Sequence, residues 1–453
     1  MIKGIFYMIK IVIVGANHAG TAAANTILDN YKGVQVVIFD QNSNISYLGC
    51  GTALYVGRQI EDTDGLFYSS RELLEKKGAK VYLTTTVEDI DFDKKIVTAV
   101  NAEGREIQES YDKVILATGS APIRPNLPGV DLGGVHFVKL FQDGSIIDKE
   151  LDDPRVKRVA TVGAGYIGVE IAEAIQRRGK ESMLFELAPH CLGGYYDEPF
   201  TLEMDKVLKK GGIDLHYSEG LKAIKSEDGK KVSAVLTDKG EYPAEMVLLA
   251  IGFVPRTEVG NGKIELGAGN AFKVDLHQQT SIPDVYAVGD CATIFNNATK
   301  ESDYIALATN AVRSGIVAGH NVCGTALKSA GVQGSNGICI YDYKMFSTGL
   351  SYDKAKAHGF KANFVDFEDY QKPEFVKADN GKVKLRIVYC NETRRILGAQ
   401  MASYMDVSMG LHMFSLAIAK EFTINELPLL DIFFMPHFNK PFNYITMAGL
   451  LAK

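Results

Sequence analysis

RVATVGAGYIGVEIAEAI, Arg158 to Ile175, reads as a short β-branched strand, a glycine turn and an Ala-rich helix in direct succession. Gly163, Gly165 and Gly168 fill the G-x-G-x-x-G frame in full. Behind a strand and at the mouth of a helix, that frame is a dinucleotide fingerprint. Glycine allows the tight turn and the close backbone approach, and the helix N-terminus faces a pyrophosphate. The next strand, ESMLFE, ends in Glu186. A carboxylate there accepts from a ribose 2′-OH and repels a 2′-phosphate. No Arg follows closely in ELAPHCLGG, so NADH is favoured over NADPH.

The same theme occurs earlier, in KIVIVGANHAGTAAANTIL, Lys10 to Leu28, followed by VQVVIFD ending at Asp40. Gly15, Asn17 and Gly20 take the three frame positions, with Asn for the middle glycine. Asn tolerates left-handed backbone better than most residues, which makes the exchange survivable. Alone, this loop reads as readily as an ordinary tight β-α turn. Together the two segments are two βαβ units in one chain, hence an α/β protein. Between them, YDKVILATGSAPIRPNLPG is a buried strand with a Gly/Pro-rich crossover. AEMVLLAIGFVPRT closes the second unit, and TSIPDVYAVGDCA is a short strand ending at Gly289-Asp290. Beyond Thr325 the pattern shifts. Strands such as KVKLRIVYC alternate with a helical stretch, MDVSMGLHMFSLAIAKEF, before a Pro- and Phe-rich tail, which indicates a third domain.

A length of 453 residues is consistent with two or three domains. Hydrophobic and charged contents of 46% and 23% are those of an ordinary soluble protein with a full core. The net charge of -6 gives no support for nucleic-acid binding. No run approaches the roughly 18 apolar residues of a membrane span. MIKGIFYMIKIVIVGANHAG lacks the long apolar region and small-residue cleavage site of a secretory segment. Residues 1–7 are read as a short extension or an over-early start. The six cysteines, at 50, 191, 291, 323, 339 and 390, show no metal-site spacing. They fit a reduced, cytoplasmic setting.

Cys50 stands in SYLGCGTALYVG, between glycines and ahead of a possible helix start. A thiol at a helix N-terminus is expected to have a lowered pKa. The other five cysteines are read as buried and inert, Cys291 with less ground because it follows the Gly289-Asp290 turn.

GANHAG, SYLGCG, ATGS, GAGYIGVE, AIGFVPRT and TSIPDVYAVGD follow one another across most of the chain. This set resembles the pyridine nucleotide–disulfide oxidoreductase superfamily. Within it, the chain is similar to the single-cysteine branch: NADH oxidases, NADH peroxidases and coenzyme A-disulfide reductases. The tail FFMPHFNKPFNYI, Phe433 to Ile445, is similar to the ending of water-forming NADH oxidases. Flavoenzymes that reduce disulfides often carry Cys-x4-Cys at the Cys50 point. Here residue 55 is Tyr, so one thiol stands where a pair is common.

The resemblance implies two Rossmann-like domains, for FAD and NAD, in a glutathione-reductase-like arrangement, plus a C-terminal α+β dimerisation domain. The FAD domain is discontinuous, 1–120 and 256–328. The NADH domain is 121–255 and the dimerisation domain 329–453. Gly15, Asn17, His18, Ala19 and Gly20 are expected at the FAD pyrophosphate and Asp40 at its ribose. Val87, Ala117, Thr118 and Gly119 are expected against FAD, Asp290 at its ribityl-phosphate part, and Lys139 and Cys50 near the flavin. Leu307, Ala308 and Thr309 start a helix pointing at the isoalloxazine. Gly163, Gly165, Tyr166, Ile167, Gly168, Glu186 and Gly252 are expected to hold NADH, with Tyr195 a gate over the nicotinamide pocket.

The implied activity is 2 NADH + 2 H+ + O2 → 2 NAD+ + 2 H2O, through flavin and a Cys50 thiolate that cycles to sulfenic acid. His18 is expected to stabilise the sulfenate or supply a proton, against the alternative of a helix-start histidine bonded only to backbone. NADH peroxidase is the first rival. Coenzyme A-disulfide reductase is the second, and the tail and Glu186 fit it less well. A non-catalytic NADH/FAD redox sensor is the rival of another class, and retention of Cys50 with both loops argues against it. A homodimer is expected, with Phe434 and His437 near the partner's active site. His437 reads equally as an interface histidine, and Phe433, Phe434, Phe438 and Phe442 as interface core. No metal, nucleic acid or membrane partner is expected.

Overall fold

The computed structural model describes residues 8–377 and 379–453. The extension read at residues 1–7 lies outside them. Three five-stranded sheets organise the chain. In the first, all parallel, the order is Val285–Ala287, Lys113–Leu116, Ile9–Val14, Val34–Phe39 and Lys80–Tyr82. A parallel strand covered on both faces needs apolar residues without alternation. Ile11, Val12, Ile13, Val36, Val37 and Ile38 are all fully buried. On one face the Ala-rich helices His18–Asn30 and Ala308–Val322 pack against each other and the sheet.

The second sheet repeats the plan: Asp214–Tyr217, Glu181–Glu186, Arg158–Val162, Met246–Leu249 and Val135–Phe137, again all parallel. Its glycine loop opens the Tyr166–Arg177 helix. The short antiparallel pair of Ser120–Pro122 with Phe253–Pro255 joins the two lobes. The third sheet is antiparallel: Asn336–Ile340, Tyr343–Gly349, Ile396–Ser403, Lys382–Cys390 and Ala362–Tyr370. The Ser408–Ala419 helix packs on it through Leu411, Phe414 and Ile418. Among the described residues no helix is long and apolar enough to cross a membrane.

Candidate functional site: two glycine loops and a cysteine cleft

The two loops share one construction. Gly15 N–H donates to Phe39 O at 2.7 Å, and Gly163 N–H donates to Phe185 O at 2.8 Å. The acid ending the following strand ties each loop down. Asp40 accepts from Ala16 N–H at 2.7 Å, as Glu186 does from Ala164 N–H at 2.7 Å. The second oxygen of each braces the next turn, Asp40 through Asn42 N–H at 2.7 Å and Glu186 through Ala188 N–H at 2.9 Å. Both acids therefore shape the loop. The third glycine lets helix cross strand: a Cβ on Gly20 would lie 1.8 Å from Gly15 O, and one on Gly168 1.8 Å from Gly163 O.

Asn17 does not use the left-handed tolerance expected of it. It is extended, at φ -84° and ψ -150°, like Gly165 at φ -73° and ψ -171°. The middle position faces open space at Gly165, so the turn demands little bulk there but no positive φ. Positive φ falls on the first glycine, +103° at Gly15 and +97° at Gly163. The helices after both loops, and the one opened by Leu307, Ala308 and Thr309, start without a side-chain cap or an acid in the first turn. Their leading N–H groups and positive ends suit phosphate oxygens. This double cradle fits two dinucleotides.

Several expected residues meet at the end of the first sheet. Asp290, in the Gly289–Cys291 turn, accepts from Ser120 Oγ at 2.8 Å. Lys139 Nζ reaches Ser120 Oγ at 2.6 Å and Asp290 at 3.3 Å, and lies 4.3 Å from the Phe253 ring centroid. Ala117 N–H donates to Val14 O at 2.8 Å, and Thr118 Oγ1 to Arg256 O at 2.6 Å. Gly119 turns with φ +70° and Gly252 with φ +106°. Val87 is buried beside a bulge, away from this cluster's hydrogen bonds.

Cys50 sits in the turn Gly49–Gly51, exposed, ahead of the helix Thr52–Val56. That helix has five residues and Cys50 lies in the turn before it, so the helix field is small. The thiol pKa is raised, against the sequence expectation, by the protein packed around it and then by the charge of Glu170. Glu170 belongs to the Tyr166–Arg177 helix, and burial pushes its carboxyl up to about 7. Ala53 and Val56 share a core with Ile171 and Ala174, and Arg178 donates to Val56 O at 2.9 Å. The cysteine turn and the second glycine loop thus ride on one helix.

His18 is not hydrogen-bonded to Cys50. Its Nδ1 pairs with Tyr68 Oη at 3.0 Å and the rings stack at 5.7 Å. Burial lowers its pKa, with Asp290 opposing, so it is neutral near pH 7. Cys291 is a core thiol that donates to Leu116 O at 3.3 Å and Val288 O at 3.2 Å. Cys191 and Cys390 are buried, but Cys323 is half-buried and Cys339 exposed, which corrects the uniform buried reading. On the second loop's side Tyr166 Oη meets Tyr196 Oη at 2.7 Å, and the Tyr195 ring stands edge-on to Tyr166 at 4.5 Å. Ile167 partly covers the Cys50-side core. Phe434 and His437 are exposed in the tail, with Phe433, Phe438 and Phe442.

Sequence reasoning missed Glu170, Ser120, Tyr68 and Arg178. Glu170 carried a signal: it lies one helical turn after Tyr166, on the face that meets the cysteine turn. The others had none, because their partners are distant in the chain.

Residues 9–315 match the family described as pyridine nucleotide-disulphide oxidoreductase, and residues 336–444 match the dimerisation domain of that family. The chain is 54% identical over 458 residues to an NADH oxidase of Streptococcus pyogenes serotype M6, covering 98% of this chain and 100% of that one. It is equally 54% identical, over 445 residues, to an NADH oxidase of Lactococcus lactis subsp. cremoris, with 98% and 100% covered. Among solved structures it superposes on a water-forming NADH oxidase from Lactobacillus brevis bound to NADH, with TM-score 0.94, 36% identity, and 98% of this chain and 97% of that one covered.

Proposed function

The chain belongs to the pyridine nucleotide-disulphide oxidoreductase family, and we propose that it is an FAD-dependent NADH oxidase that reduces O2 to water. The observation that carries this is the exposed Cys50, free of any disulfide, in a turn whose following helix packs against the helix of the second glycine loop. The likeness to NADH oxidases over the whole chain supports the same reading.

In this proposal Gly15, Asn17, His18, Ala19, Gly20 and Asp40 hold the FAD pyrophosphate and ribose. Val87, Ala117 to Gly119, Lys139, Asp290 and the Leu307–Thr309 helix start complete the FAD site. Gly163 to Gly168, Glu186, Tyr195 and Gly252 hold NADH. The domain limits are 1–120 with 256–328, 121–255 and 329–453. Bound FAD would accept hydride from NADH and pass two electrons at a time to the oxidant. Cys50 then removes peroxide: Cys50–SH + H2O2 → Cys50–SOH + H2O, the sulfur losing two electrons as the O–O bond breaks. NADH + H+ returns Cys50–SOH to the thiol and releases a second water. Because its pKa is raised, the thiol must lose its proton to react. His18, its ring held in place by the Tyr68 hydrogen bond, would stabilise the sulfenate or supply a proton. The exposed aromatic tail pairs two copies, and the protein works in the cytoplasm.

The test is NADH consumed per O2, with and without catalase. The wild type should consume two NADH per O2, with no oxygen returned. Cys50→Ser should consume one and release H2O2, which catalase converts back to oxygen. A serine variant that still made only water would remove Cys50 from the cycle. Negligible O2 uptake by the wild type, with turnover on H2O2 or coenzyme A disulfide, would identify a peroxidase or a disulfide reductase instead. No turnover on any oxidant would identify a sensor.

A further inference from the structure

The turn that carries Tyr195 and Tyr196 is followed at once by a buried carboxylate. Asp197 is only 4% exposed, and every partner of its carboxylate comes from the third domain. Its Oδ2 accepts from Gln400 Nε2 at 2.7 Å, while its own N–H donates to Gln400 Oε1 at 2.8 Å. The N–H of Tyr352 donates to both carboxylate oxygens, at 3.0 and 3.2 Å. Arg386 Nη1 lies 3.3 Å away. Arg386 is itself buried, bound at two points to Asp366 at 2.7 and 2.6 Å and stacked 3.9 Å over the Phe364 ring. Gln400 is 1% exposed. On the other side of the turn, Asn336 of the third domain accepts from the Tyr166 hydroxyl and lies 3.4 Å from that of Tyr196.

A buried ion pair of this kind adds little stability over apolar side chains of the same volume. What it does supply is geometry. A reciprocal amide pair and a carboxylate aimed at a backbone N–H are satisfied in one register only. Asp197 is two residues from Tyr195, so that register is passed directly to the gate. Tyr195 adds to it the edge contact with Tyr166, a backbone bond to Leu192 O at 2.9 Å and, again from the third domain, Lys354 Nζ at 5.8 Å from its ring centroid.

We infer that Asp197, Gln400 and Arg386 form a positioning clamp, through which the third domain sets the Tyr195–Tyr196 turn against the nicotinamide pocket. The inference rests on the reading of Tyr195 as the gate. The clamp residues touch no substrate; they act through the turn.

The test is a double-mutant cycle on the FAD-loaded enzyme. Gln400→Leu removes both amide bonds, and Gln400→Asn, one methylene shorter, is the milder variant should the first lose FAD. Either should raise KM for NADH by roughly tenfold, the loss of one such bonded pair, with kcat within about twofold. Tyr195→Ala alone should also raise KM, and adding the Gln400 change to it should raise KM no further. Equal effects of the Gln400 change in both backgrounds, or no effect in either, would overturn the clamp. If Tyr195→Ala leaves NADH kinetics untouched, the gate reading fails and takes the clamp with it, an outcome distinct from additivity. The sequence has no Trp, so Tyr195→Trp gives a lone reporter. Its anisotropy should fall when Gln400 is changed, and an unchanged value would also count against the clamp.

Discussion

At the residue scale, the chemistry turns on what surrounds Cys50. The single-thiol plan needs a thiolate, yet the packing around the sulfur, and after it the Glu170 charge, favour the neutral thiol. Glu170 holds its own proton up to about pH 7. Below that pH it is neutral and spares Cys50; above it, its charge opposes the thiolate. Glu170→Gln should move the inflection of Cys50 alkylation by iodoacetamide to lower pH, by roughly half a unit to one unit. An unchanged inflection would remove Glu170 from the environment of Cys50. The same raised pKa has a stability consequence. A carboxyl that binds its proton more tightly when folded stabilises the fold at low pH, and that contribution is lost as pH rises from about 4.5 through about 7. Melting temperatures of wild type and Glu170→Gln between pH 5 and 8 should therefore diverge in favour of the variant as pH rises.

At the scale of the element, the glycine loop is a mechanical part before it is a binding site. Gly15 has φ +103°, and a Cβ there would stand 2.1 Å from Ala117 O. Gly15→Ala therefore meets both strain and a backbone clash, and should cost about 2–4 kcal/mol. It should lower the melting temperature and leave the purified protein short of FAD, read from flavin absorbance per chain. A variant that kept its full flavin would mean that the loop relaxes at little cost. The helix after the second loop has more to do than its sequence suggests. It carries Glu170 toward Cys50, packs the cysteine helix through Ile171 and Ala174, and begins with Tyr166 beside Tyr195.

At the scale of the whole molecule, the C-terminal tail exposes several aromatic side chains. Phe433, Phe438 and Phe442 are 65%, 58% and 65% exposed, and Met409 and Leu416, earlier in the same domain, are 76% and 60%. In the proposed homodimer this accessible apolar surface is assigned to the interface. Phe438→Asp should shift the protein from dimer to monomer in sedimentation velocity, and an intact dimer would place the interface elsewhere. The sequence by itself determined the two βαβ units, the order of their strands and helices, and the acids at Asp40 and Glu186. Those features follow from glycine spacing and apolar periodicity, which act between chain neighbours through φ, ψ and side-chain direction. It also singled out Cys50, from its local setting and its position relative to the first loop. The tertiary structure alone decided the direction of that thiol's pKa shift, because the protein packed around it, and then Glu170 from a helix far downstream, both disfavour the thiolate. It likewise turned His18 toward Tyr68, joined Lys139 to Asp290, and closed Gln400 and Arg386 on Asp197. Each of these is an electrostatic or hydrogen-bonding relation between residues remote in sequence, and such relations depend on distances that only packing sets.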